Sequence, residues 1–94
     1  MTNSNFVATG FVNNVKEVGE KLVVFSLAVG VKQEDGTYKN GFVNCKANKE
    51  KVQIKEGDRV TVKGFPTFEF WTDKDSGRER QRMVVFVQEV EPVS

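Results

Sequence analysis

The chain has 94 residues and a formal net charge of +1, enough for one domain with one modest core (1–94) and weighing against a protein that coats nucleic acid by bulk positive charge. With no histidine and a single cysteine, Cys45, there is no metal set of recognisable spacing, no Ser-His or Cys-His nucleophile pair and no internal disulfide. The longest apolar run, residues 22–28, is too short to cross a bilayer, and residues 1–6 lack the basic and apolar parts of a signal peptide, so we expect a cytoplasmic, non-enzymatic protein with no cofactor and no membrane association.

Alternating apolar residues and β-branched side chains predict five strands. The first covers residues 5–15, with Gly10 marking a bulge or a close backbone approach. The second covers residues 21–31, where Val23, Phe25, Leu27, Val29 and Val31 form a continuous apolar face. Asn13-Asn14 and Val18-Gly19 bracket the turn between them. A polar loop, residues 32–41, carries the turn signals Asp35-Gly36 and Asn40-Gly41. The third strand is residues 42–48, with Val43, Cys45 and Ala47 toward the core and Phe42, Asn44, Lys46 and Asn48 facing away. Residues 48–55 are the helix candidate, and residues 55–58 make a turn.

The fourth strand covers residues 59–71, with Val60 and Val62 inward and Arg59, Thr61 and Lys63 outward. Gly64 and Pro66 interrupt it, which calls for a bulge or a sheet edge, because proline cannot donate to the ladder. Parity therefore does not decide which of Phe68, Phe70 and Trp71 is buried. Asp75-Ser76-Gly77 tips a hairpin, and the fifth strand returns over residues 80–90. Its segment from Met83 to Val87 is apolar on both faces, as in a strand that is central or covered by a partner subunit.

Five strands with a short helical insert between the third and fourth predict an all-β OB-fold, a five-stranded Greek-key barrel. That fold binds oligonucleotides across strands 2 and 3 and the loops joining strands 1–2 and 4–5. Rings and cations fall on those elements here. Phe65, Phe68, Phe70 and Trp71 lead into the hairpin, and Arg78, Arg80 and Arg82 lead out of it. Every base offers a face to stack on and every nucleotide a phosphate to neutralise. Lys46, Lys49, Lys51 and Lys55 form a second basic cluster, with Glu50 and Glu56 among them. Each feature has a blander reading: rings as core, charge clusters as solvated faces, Phe42 as a cap on the core. Phe70 and Trp71 cannot both be core on a regular strand, because neighbours point to opposite faces.

In order along the chain, several stretches resemble the bacterial and phage single-stranded-DNA-binding protein (SSB) family. Gly10-Phe11-Val12 is similar to the family's first-strand glycine segment, and Phe25-Ser26-Leu27-Ala28-Val29 to its second strand. Phe42-Val43-Asn44-Cys45 is close to its aromatic-Ile-Asn-Cys stretch. Residues 56–64 match a Lys-Gly-x-x-Val-x-Val-x-Gly segment, with Glu56 for the lysine, and Trp71-Thr72-Asp73 with Gly77 resembles its hairpin. The resemblance covers nearly the whole chain and implies that Phe42 and Trp71 hold base-stacking positions. It also implies a homo-oligomer, usually a tetramer and sometimes a dimer. Two family ring positions are Gln33 and Asn48 here, so stacking is weaker or is compensated by Phe68 and Phe70. The family's acidic tail is missing after Glu91-Pro92-Val93-Ser94, which points to a phage, plasmid or other accessory version, or to a domain cut at its edge.

The reading is sequence-tolerant binding of single-stranded DNA in replication, recombination or repair. Trp71 and Phe42 stack bases, with Phe68 or Phe70 adding. Arg78, Arg80, Arg82, Lys46 and Lys49 pair with phosphates, and Asn44 and Asn48 bond to base or sugar edges. Two alternatives stand beside it. Lys63-Gly64-Phe65 begins like the RNA-binding motif of cold-shock proteins, but Pro66 and Thr67 break it. A protein-interaction adaptor, of the primosome or tail-assembly kind, would use Phe68, Phe70 and Trp71 as a contact patch.

Overall fold

In the computed structural model, which describes residues 6–93, five strands close a barrel. They are β1 (Phe6–Val18), β2 (Leu22–Lys32), β3 (Tyr38–Asn48), β4 (Arg59–Thr72) and β5 (Glu79–Pro92). Their order around the barrel is β1-β2-β3-β5-β4, the arrangement of an OB-fold. All neighbours are antiparallel except β3 and β5, which run parallel and pair Cys45 with Val85 and Ala47 with Val87.

The core is the inward half of each alternation. Val12, Val23, Phe25, Leu27, Cys45, Ala47, Val60, Val62, Val85 and Val87 are buried together. The apolar face of β2 runs further than the core does. β1 pairs with β2 only from Phe11 opposite Ala28, so the end of β2 leaves the barrel with β3 alone and Val31 is exposed. β5 is apolar on both faces because it is central. Val85 and Val87 fill the interior, while Phe86 on the outer face stacks on Phe65 of β4, with centroids 5.9 Å apart.

Three expectations need correction, each for a local reason. Residues 48–55 form no helix. Lys51 and Val52 N–H groups donate to the Asn48 carbonyl (3.0 and 3.2 Å), giving one turn, and the Asn48 side chain takes the Glu50 N–H (2.9 Å). That bond caps the single turn, but so short a segment does not recover the cost of nucleation. The chain then extends, and Val52 plugs the base of the barrel. Asn40-Gly41 is not a turn but part of the ladder, opposite Gly30 and Val29. The turn lies at Asp35-Gly36, with Gly36 at φ 88°. There the Thr37 hydroxyl and N–H both donate to Asp35 and hold its carboxyl below the usual range. Asn13-Asn14 makes a bulge inside β1, with Asn14 at φ 57°, and β1 continues to Val18. The Glu56 carboxylate accepts the N–H groups of Asn14 and Val15 at that bulge (3.0 and 3.1 Å). Asn5, placed in the first strand by the sequence, lies outside the described residues.

Two glycines set how closely the strands approach. A Cβ on Gly10 would run into the Ala28 carbonyl, and one on Gly64 into the Phe86 carbonyl. Gly64 also marks a register shift between β4 and β5. Replacing Gly64 with alanine should therefore cost about 1–3 kcal/mol in chemical denaturation, the usual cost of overpacking. Gly41→Ala, with open space around the new Cβ, should stay within about 0.5 kcal/mol of the parent.

Candidate nucleic-acid interface

The parallel pairing of β3 and β5 places the β2–β3 and β4–β5 hairpins at the same end of the barrel. It also lays the outer face of β5 beside that of β3. Among the described residues, β1 pairs with β4 as far as Phe6 opposite Gly64, and beyond that point β4 pairs with β5. Pro66 lies in this stretch, where among the described residues its missing N–H costs no bond to β1. From there the hairpin projects as a two-stranded arm, and both of its faces meet solvent.

Strand alternation gives the arm two different faces. On one, Glu69 lies opposite Arg82 and Trp71 opposite Arg80; on the other, Phe68 lies opposite Met83 and Phe70 opposite Gln81. None of the three rings is core. Phe68 is 56% exposed, Phe70 61% and Trp71 44%, so Phe70 and Trp71 obey the alternation rule without either entering the barrel. Phe65 stands apart as a packing residue, stacked on Phe86 at the root of the arm.

The charged face folds against β3. Lys46 Nζ donates to Glu69 Oε2 (3.1 Å), and Arg82 donates to Glu69 Oε1 from Nε (3.2 Å) and Nη2 (3.1 Å). The Arg82 guanidinium carbon lies 5.5 Å from the centroid of the Trp71 ring, a cation–π contact. Arg80 Nε donates to Asp73 Oδ2 at 3.1 Å. The Lys46 ammonium, helped by Arg82, holds the Glu69 carboxyl below its ordinary range. Between β1, the outer face of β2 and β3, and this arm lies a groove of about 390 Å³, lined among others by Lys16, Ser26, Asn44, Lys46, Glu69 and Arg82.

The residues singled out in the sequence divide accordingly. Asn44, Lys46, Arg80, Arg82 and Trp71 share one continuous face, and Phe42 extends it along β3, 65% exposed and on the outward side. Arg78 is at the arm's tip and pairs with no carboxylate among the described residues. Phe68 and Phe70 are on the opposite side of the arm. Asn48 is occupied with the turn described above. Lys49 lies at the base of the barrel, paired with Glu17 (3.3 Å) beside a second cavity of about 560 Å³ lined by Val52, Ile54 and Lys55. An acid does not stand out among the rings, cations and amides that suit DNA, so the sequence does not single out Glu69. Counting outward from the hairpin tip would have placed it opposite Arg82.

Cys45 is buried under this face, and burial pushes its thiol up to about 12. A thiol reagent at pH 8 should leave it unmodified in the folded protein and label it only on unfolding. Fast labelling of the native protein would contradict that burial. Among the described residues no three His, Cys, Asp or Glu side chains converge as a metal site, and no helix is long and apolar enough to cross a membrane.

No protein-family model matches the chain, and no curated protein matches it by sequence. Solved structures do match. The SSB of Plasmodium falciparum, in complex with ssDNA, superposes with a TM-score of 0.74 over 100% of this chain and 97% of its own, at 15% identity. A small single-stranded DNA-binding protein from Streptomyces coelicolor superposes with a TM-score of 0.65 over 98% of this chain and 96% of its own, at 19% identity. At such identities the likeness is one of fold, and it extends over essentially the whole of all three chains.

Proposed function

We propose that this protein binds single-stranded DNA without strong sequence preference, in replication, recombination or repair. Trp71 and Phe42 supply the stacking surfaces. Arg78, Arg80, Arg82 and Lys46 take the phosphates, and Asn44 offers an amide to base or sugar edges. The observation that carries this reading is the convergence of Lys46 and Asn44 of β3 with Arg82 and Trp71 of the arm on one groove. The whole-length likeness in fold to two proteins named for binding single-stranded DNA supports it. Catalysis has no place in it, and a reducing cytoplasm suits the lone thiol of Cys45.

Self-association belongs to the same proposal, with a tetramer favoured over a dimer. Its support is the exposed, outward-facing pair Val7 and Phe11 on β1, since β5 finds its cover within the chain. Sedimentation of the purified protein tests it. A monomer at all concentrations would remove that part of the proposal.

Trp71 is the sole tryptophan, so its emission reports the site directly. Titration with dT oligomers should quench it to saturation at a definite length. Trp71→Ala should weaken binding by about 1–3 kcal/mol without loss of fold. Arg78→Ala should make the salt dependence of log K shallower by roughly 0.7. Matched RNA oligomers should bind more weakly than DNA. One observation favours a second reading: Phe68, Phe70 and Met83 form an exposed apolar face on the back of the arm, as a protein-contact adaptor would need. Absence of any response to DNA or RNA at low salt would leave that reading standing and overturn the first.

A further inference from the structure

We propose that Glu69 is an internal stand-in for a backbone phosphate: its carboxylate occupies the seat between Lys46 and Arg82 in the free protein, and a DNA strand must displace it to bind. This rests on the DNA-binding reading above. Four of the five cations assigned to phosphates from the sequence already hold a carboxylate: Lys46 and Arg82 share Glu69, Arg80 holds Asp73 and Lys49 holds Glu17. Glu69 differs from the other two acids because it is gripped from two strands at once. Oε2 takes Lys46 from β3, and Oε1 takes the Nε and Nη2 fork of Arg82 from β5. A phosphodiester presents the same feature, two anionic oxygens on one atom, to the same two cations.

The pairing also reaches the ring. Glu69 holds the Arg82 guanidinium 5.5 Å from the centroid of Trp71, so it keeps a cation over that ring. When a phosphate takes the seat, Arg82 is tied to the strand instead of to Glu69, and the half-exposed Trp71 ring meets a base of that same strand. Glu69 is partly exposed and has solvent to move into. Exposed ion pairs hold little free energy, so a strand that brings both phosphate and base replaces Glu69 readily. A small anion gains no stacking and only exchanges one partner for another. Glu69 thereby favours a strand over a lone phosphate in the same seat.

The test compares wild-type protein with Glu69→Gln and Glu69→Ala, titrated with a dT oligomer over a series of salt concentrations and followed by Trp71 emission. Both substitutions lie on the projecting arm, away from the core, and thermal melts close to wild type confirm the fold. Both variants should bind about two- to fivefold more tightly for each ion pair released. Their log K against log salt should steepen by about 0.7 for each cation freed. Binding by the variants alone, with none by wild type, would support the proposal most strongly. If wild type binds and both variants bind equally or more weakly, the proposal is overturned, and Glu69 instead positions Arg82 and Trp71. If neither wild type nor the variants bind any oligomer, the DNA-binding reading itself falls and takes this one with it.

Discussion

The short parallel pairing of β3 with β5 is the constraint on which the rest of the structure depends. It closes the barrel through Cys45 opposite Val85 and Ala47 opposite Val87. Because the two strands run the same way, both long hairpins rise from one end. Because the residues between those inward pairs face outward together, Lys46 comes beside the root of the arm and Glu69 can reach it. Gly64 makes this possible from the other side. It lets β4 lie against the Phe86 carbonyl, where any side chain would force the two strands apart.

The electrostatics of the groove are those of exchange. The chain is nearly neutral overall, at +1, yet three of its four arginines, Arg78, Arg80 and Arg82, lie on the arm, with Lys46 of β3 beside them. Among the described residues, Lys46, Arg80 and Arg82 are held by Glu69 and Asp73 of the same arm, while Arg78 at the tip has no carboxylate partner. In the proposed reading, affinity for a polyanion comes from swapping one set of anionic partners for another, with stacking on Trp71 and Phe42 as the term that favours the strand. Such a surface is expected to be sensitive to salt and indifferent to sequence, since rings accept any base.

Much of this was legible in the sequence, and the misses have physical causes. The five strands and their inward residues followed from alternation, because each strand has one buried side. The exposed parity of Phe42, Asn44 and Lys46 followed for the same reason. The helix over residues 48–55 stops after one turn, because the segment is too short to recover the cost of nucleation and Val52 is drawn into the core. The turn at Asn40-Gly41 failed because a favourable turn pair can also lie inside a ladder when a stronger turn, Asp35-Gly36, precedes it. The two faces of the arm could not be assigned, since that needs the register shift at Gly64 and the exposure of Phe68, Phe70 and Trp71, which parity does not give. Lys49 stands at the base of the barrel, away from the groove, because charge along a chain does not say which end of a barrel it reaches.

The central claim is that a strand lies across β3 and the charged face of the β4–β5 arm. Amide chemical-shift mapping of nitrogen-labelled protein with a dT oligomer tests it most directly. The expected result is that shifts concentrate from Phe42 to Lys46 and from Glu69 to Arg82, and that the Trp71 indole N–H moves with them. Residues at the barrel base, Val52, Ile54 and Lys55, should stay in place. Shifts centred on that base, or none at saturating oligomer, would contradict the claim.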